Sequence, residues 1–194
     1  MNETLVIGST VADVIINVSK LPETGEDIVF SSQEVNLGGC AFNVSEILRH
    51  FAIPYTLCSP VGNGIYGDFV KKSLCERNIK IFAESKEENG CCYCLVDSNG
   101  ERSFMCRHGA EYKFDRANFS EIDFSKIDSA YICGLELEES TAENEIEYIE
   151  EIFNFHKKNR FKIHFVFRTG TENHVLEGTA YEKNFCLQSG DSFE

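Results

Sequence analysis

The residues able to do chemistry gather in a few short stretches. Gly62 to Gly67 reads GNGIYG, a G-x-G-x-x-G spacing set between an apolar run (YTLCSPV) and a helix-like segment (DFVKKSLCERN). With the acidic Glu84 about 20 positions on, it has the layout of a dinucleotide finger, whose glycines let a pyrophosphate approach the backbone. Gly38-Gly39-Cys40-Ala41-Phe42-Asn43 stands directly before a second helical pattern. Paired glycines let a backbone come closer to a ligand than any side chain would allow, and Asn43 offers both donor and acceptor to a hydroxyl-rich ligand. A plain glycine turn with a solvated Asn accounts for the same spacing, and both readings stand. Asp13 follows the first strand by a few residues, at the carboxyl edge where open α/β sheets bind ligands. A carboxylate there can grip paired hydroxyls, although a turn aspartate is the commoner explanation of such a residue alone.

Metal chemistry finds little support. Cys91, Cys92 and Cys94 lack a second Cys or His pair at a finger-like spacing, and strand alternation sets Cys92 and Cys94 opposite Cys91. The five histidines form no H-E-x-x-H and name no triad partner. No metal site is assigned. The nine cysteines are odd in number and fall mostly in apolar runs, which favours reduced thiols packed as small hydrophobes.

The elements that would position these residues alternate. Leu5 to Gly8 reads as a buried strand, and two extended runs, Asp13 to Val18 and Asp27 to Val35, flank the turn-like LPETGE. Val44, Ile47, Leu48 and Phe51 recur at helical spacing from Ala41, Pro54 ends that element, and Tyr55 to Cys58 resumes a strand. A second helix over Tyr66 to Arg77 buries Phe69, Val70 and Leu74. Ile79 to Glu84 is a strand. Cys91 to Val96 pairs with Arg102 to Cys106 across Asp97-Ser98-Asn99-Gly100, an antiparallel hairpin. Ala130 to Cys133 is a strand, Ser140-Thr141-Ala142-Glu143 is a capping box opening a helix through Phe153, and Phe161 to Phe167 is the next strand. The expected fold is α/β, a doubly wound, mainly parallel sheet with a small β-sheet lid. From Arg168 onward no period of 2 or 3.6 is sustained.

Bulk properties narrow the function. A chain of 194 residues with 42% hydrophobic and 26% charged residues is globular rather than disordered. Its apolar runs fall far short of the ~20 residues of a membrane helix, and MNETLVIG lacks a basic leader, so a cytoplasmic location and no membrane contact are expected. The net charge of -14 argues against a nucleic-acid partner.

In order along the chain, these pieces resemble the ribokinase-like, or PfkB, family of carbohydrate kinases. LVIGSTVAD is similar to the family's first strand ending in the substrate-binding Asp, and LPETGE to its P-x-x-G-E segment leading into the lid. GGCAFNVS resembles the front of the first signature, which continues with a Gly where this chain has Ala52 and closes on Gly62. In the family that closing stretch commonly reads V-G-x-D-x-x-G, so Gly64 stands where an Asp is usual. GERSFMCRHGAE resembles G-x-R-x-F followed by G-A. The matches span roughly residues 4 to 140.

The resemblance implies an α/β domain with a lid that often dimerises, and ATP- and Mg²⁺-dependent phosphorylation of a hydroxymethyl group on a sugar, nucleoside or related polyol. It implies that Asp13, Gly38, Gly39 and Asn43 hold substrate hydroxyls, with Glu136 as a further candidate, and puts Arg107 near the pocket. In the family an N-x-x-E for magnesium and a D-T-x-G-A-G-D for the anion hole and base lie late in the chain; neither is found after Phe153 here, and Phe167-Arg168 departs from the family's D-x-N-x-R pattern. No catalytic residue is therefore assigned. The expectation is that residues 1–167, with lid strands at about 13–36 and 91–107, form the substrate-binding portion of a truncated kinase, incomplete at its C-terminal side and inactive alone. Residues 168–194 are expected to be an atypical tail, natural or out of frame. The alternatives are a non-catalytic sugar-binding or dimerisation module and, more remotely, a nicotinamide-binding oxidoreductase.

Overall fold

The computed structural model describes residues 3–114, 121–133, 162–169 and 172–179. Eleven strands and two α-helices fall in these segments. In chain order they are β1 (Glu3–Ile7), β2 (Val11–Asn17), β3 (Ser32–Gly38), α1 (Cys40–His50), β4 (Tyr55–Cys58), β5 (Pro60–Asn63) and α2 (Gly64–Glu76). There follow β6 (Ala83–Glu88), β7 (Cys91–Val96), β8 (Arg102–Arg107), β9 (Ile127–Cys133), β10 (Lys162–Thr169) and β11 (Glu172–Thr179).

Three sheets result. The first has the order β11-β10-β9-β1-β4, with β1 parallel to β4 and β9, and β9 parallel to β10. Only β11 runs antiparallel. Strand β1, flanked by β9 and β4, reads LVI at its end, with Leu5 and Val6 fully buried, as a strand covered on both faces must be. The second sheet, β3-β2-β7-β8, is the lid: β2 pairs antiparallel with β3 and parallel with β7, and β7–β8 is the hairpin. The third is the short parallel pair β5–β6.

The body core joins sheet and helices through Val6, Ala41, Phe42, Leu57, Val61, Val70 and Leu74. Each of these side chains other than Ala41 contributes about 1.5–3 kcal/mol when fully buried. The sequence pattern for α1 mistook the buried stripe: Ala41, Phe42 and Ser45 are buried, Val44 and Leu48 pack against the core, and Ile47 and Phe51 are exposed. Small Ala41 and Ser45 let the helix lie close to the sheet beside Phe42, which leaves Ile47 and Phe51 on the outward side. The helix stops in a left-handed residue, Ala52 at φ 55°, while the Ile53 N–H reaches back to the Leu48 carbonyl at 2.9 Å. Helix α2 ends in the same way on Asn78, at φ 57°, with Ile79 N–H bonded to the Leu74 carbonyl at 3.0 Å.

Other boundaries also moved. Strand β3 begins at Ser32 and runs to Gly38, so the extended run expected from Asp27 starts later and leads straight into the paired glycines. The strand expected at Ile79 to Glu84 is β6, at Ala83–Glu88, because Ile79 and Ile81 pack on the core instead of joining a ladder. Beyond Arg168, where the sequence shows no period, the backbone of β11 pairs with β10. The helix expected from Ser140 through Phe153 lies outside the described residues.

Candidate substrate-binding site

The turn between the body sheet and the lid builds the site. Strand β1 ends at Ile7, the chain passes Gly8 to Thr10, and β2 carries Asp13 into the lid. Strand β3 returns alongside β2 in a register that sets Gly38 opposite Val11 and Asn36 opposite Asp13. Gly38 then touches Asp13: a Cβ built on Gly38 would lie 1.9 Å from Asp13 Oδ2 and 2.4 Å from its Cγ. Only glycine lets that carboxylate rest on the strand.

Gly39 has a different reason. Its φ is 96°, a conformation that disfavours side chains, and a Cβ there would lie 2.4 Å from the Ser9 carbonyl oxygen. It caps α1, whose first turn is tied back to the same loop by Cys40 N–H to Ser9 Oγ at 3.4 Å and Phe42 N–H to the Ser9 carbonyl at 3.4 Å. Asn43 lies one turn into α1, its N–H bonded to the Gly39 carbonyl at 3.0 Å, and it is exposed. Asp13, Gly38, Gly39 and the N-terminal turn carrying Asn43 thus meet at one corner. Glu136 lies outside the described residues.

The Asp13 carboxyl is about half-buried, and burial raises its pKa above the ordinary carboxylate value. Strand pairing extends a row across the lid: Asn36, Asp13, Cys92 and Cys106 are successive Cα partners and share one face. Asn36 escaped the sequence reading because it stands outside the glycine motif; only the β2–β3 register puts it beside Asp13. Arg107 is the Cα partner of Cys91, so it sits on the other face of the lid from Asp13 and pairs with Glu88 at 2.5 Å. The geometry therefore separates Arg107 from the Asp13 row.

Two of the glycines of GNGIYG, Gly62 and Gly67, are packed against the chain itself. A Cβ on Gly62 would meet the Glu87 carbonyl oxygen at 2.5 Å and Asn89 N at 2.6 Å, and one on Gly67 would meet the Gly62 carbonyl oxygen at 2.3 Å. Gly62 N–H donates to Asn89 Oδ1 at 2.9 Å, and Asn89 Nδ2 donates to the Thr10 carbonyl at 3.2 Å. Asn89, 1% exposed, thereby ties the β5–α2 turn to the loop that carries the site. Glu111 does similar work in the 3-10 turn Ala110–Tyr112: its fully buried carboxylate accepts from Gly90 N at 2.6 Å and Gly109 N at 2.8 Å. Burial raises its pKa, and those backbone donors partly oppose the rise. Neither Asn89 nor Glu111 carried a signal in sequence, since each serves a loop contact.

Among the described residues, no group of three or more His, Cys, Asp or Glu side chains is arranged to hold a metal. No helix among them is long and apolar enough to cross a membrane.

A mainly parallel body sheet with a four-stranded lid sprouting from the end of its first strand is the ribokinase-like α/β fold. The ribokinase of Giardia lamblia superposes with a TM-score of 0.70 at 18% identity, over 86% of this chain and 54% of that one. A ribokinase from Cryptococcus neoformans var. grubii, solved in complex with ADP, superposes with a TM-score of 0.52 at 14% identity, over 91% of this chain and 79% of that one. In sequence, an uncharacterized sugar kinase of Escherichia coli K12, YegV, is 30% identical over 149 residues, which are 76% of this chain and 46% of that protein. The pattern of the pfkB family carbohydrate kinases matches residues 1–176, and the chain belongs to that family. It spans about half the length of the curated relatives it matches.

Proposed function

We propose that this chain is the sugar-holding and lid portion of a PfkB-family carbohydrate kinase, with Asp13, Gly38, Gly39 and Asn43 gripping the hydroxyls of a sugar, nucleoside or related polyol. The observation that carries it is the Asp13 carboxylate seated on Gly38 at the corner where β1, the lid and α1 meet. A carboxylate there accepts from two hydroxyls at once, and charge-assisted bonds of this kind contribute about 1.5–3 kcal/mol each. Burial of the carboxylate strengthens them by removing competing water. Asn43 supplies a donor and an acceptor to neighbouring hydroxyls, and Asn36 extends the polar row on the lid.

ATP, with Mg²⁺ to neutralise its phosphates, would supply the γ-phosphoryl group that the family transfers to a substrate hydroxymethyl oxygen. This chain's own residues bind and orient the acceptor; the family's base and anion-hole motif is not among them. On this reading Glu136 joins the site from beyond β9, the lid partners a second copy through apolar side chains such as Phe104 and Met105, both exposed on β8, and the protein is cytoplasmic.

Sugar-dependent thermal stabilisation against a panel of pentoses, hexoses and nucleosides tests the grip. At least one compound should raise Tm, and Asp13→Ala should abolish the rise. An ATP-consumption assay on the same panel separates binding from transfer: stabilisation without turnover is expected, and turnover would overturn the assignment of a binding portion alone.

A further inference from the structure

We propose that Cys92 and Cys106 are a reversible modification site, closing to a cross-strand disulfide when the chain meets a low-molecular-weight disulfide such as oxidised glutathione. The two are Cα partners in the lid hairpin, and the Cys106 thiol donates to Cys92 Sγ across 3.3 Å. Both are free, Cys106 exposed and Cys92 partly buried.

The register of the hairpin makes the pair bridgeable. Asp97 N–H donates to the Glu101 carbonyl at 3.0 Å, which makes residues 97 and 101 a hydrogen-bonded pair closing the turn. Pair types alternate along an antiparallel ladder. Val96 with Arg102, Cys94 with Phe104, and Cys92 with Cys106 are therefore non-hydrogen-bonded pairs. Such pairs bring Cα atoms to about 4.5 Å, inside the ~4.4–6.8 Å that a disulfide spans. The competitors fit worse. Cys94 shares the face of Cys92 two residues along the same strand, about 6.6 Å away at Cα, with its side chain projecting in parallel. Cys91 points to the opposite face.

The two thiols divide the chemistry. Burial, the Cys106 sulfur and the Asp13 charge together push the Cys92 thiol up to about 12, so it is a poor first nucleophile. Exposed Cys106 attacks one sulfur of the oxidised glutathione as a thiolate, forming a mixed disulfide and expelling one glutathione thiolate, which takes up the proton Cys106 released. Cys92, deprotonated in its turn, attacks the Cys106 sulfur, and the second glutathione leaves with that proton. Two protein thiols are oxidised to one disulfide, and one glutathione disulfide is reduced to two thiols. The scarcity of Cys92 thiolate is offset by its position, already in contact with the sulfur it must attack.

The test uses the 194-residue chain, equilibrated in mixtures of reduced and oxidised glutathione, acid-quenched, alkylated and digested with trypsin without reduction. Closure joins the peptide Glu87–Arg102 to Ser103–Arg107, lowers the mass by two hydrogens, and is undone by dithiothreitol. The link should survive in Cys91→Ser and Cys94→Ser and vanish in Cys106→Ser, the exposed position that leaves packing intact, as well as in Cys92→Ser. A link running through Cys91 or Cys94, a chain that stalls as the glutathione adduct of Cys106, or both thiols still alkylated in fully oxidised buffer would each overturn the proposal.

Discussion

Gly38→Ala places one methyl group against the carboxylate on which the proposed function depends. The new Cβ would stand 1.9 Å from Asp13 Oδ2, where ordinary contact begins at 3.4 Å, so the carboxylate must retreat by about 1.5 Å. A hydrogen bond stretched by that much is lost. If the carboxylate holds two hydroxyls, the loss is about 3–6 kcal/mol, or roughly a hundredfold to ten-thousandfold in Kd. The fold should tolerate the change. Gly38 has no left-handed φ, its obstacle is the tip of a side chain, and alanine recovers some of the ~0.5–1 kcal/mol that glycine costs in a strand. Calorimetric titration with the sugar that stabilises the wild type, beside a denaturant melt, separates the two effects. Gly39→Ala is the control of opposite character: at φ 96°, with backbone oxygen at 2.4 Å, it should cost more than about 2 kcal/mol of stability. If Gly38→Ala keeps wild-type affinity while Asp13→Ala loses it, the steric argument is wrong. If neither variant changes affinity, Asp13 is not the grip.

Three further outcomes follow from particular residues. Ala52→Gly should stabilise the chain by about 1 kcal/mol in a denaturant melt, because alanine at φ 55° bears the left-handed penalty that glycine avoids. Glu111→Ala should cost about 2–4 kcal/mol and speed hydrogen exchange at the Gly90 and Gly109 amides, whose buried acceptor disappears. Asp13→Asn should flatten the pH dependence of stability just above the ordinary value of 3.8. Its raised folded pKa means the folded state holds the proton more tightly; the stability this confers is complete below 3.8 and is lost as pH rises through the raised value. The variant should thus gain stability at neutral pH, by less than about 1 kcal/mol given solvent screening at a half-exposed group, while sugar-induced stabilisation weakens. A variant as pH-sensitive as the wild type would refute the burial argument.

Much of the fold was legible along the chain because it is written in local chemistry. β1, β4, the β7–β8 hairpin and both helices stand out by apolar period and turn residues, and motifs in sequential order pointed to the PfkB family before any contact was known. The glycine that the family signature carries at position 52 also acquires a physical meaning, since the backbone there is left-handed even with alanine in place. What sequence misread were quantities set by neighbours. The buried stripe of α1 turned away from Ile47 and Phe51 because Ala41 and Ser45 allow a close approach, and the strand expected at Ile79 slid to Ala83 because Ile79 and Ile81 are drawn into the core.

The site divides along the same line. Residue type and order by themselves nominated Asp13, the paired glycines and Asn43, because a carboxylate after the first strand and glycines before a helix are local features that chemistry can read. Only the tertiary structure decided which of them touch, since contact depends on strand register across gaps of 20 residues or more. The β2–β3 pairing seats Asp13 on Gly38, sets Asn36 beside it and carries the row on to Cys92 and Cys106, while the same alternation turns Arg107 to the far face. GNGIYG is the reverse case: its spacing matched a phosphate cradle, and the packing of Gly62 and Gly67 against Glu87, Asn89 and one another fills the space at those two positions.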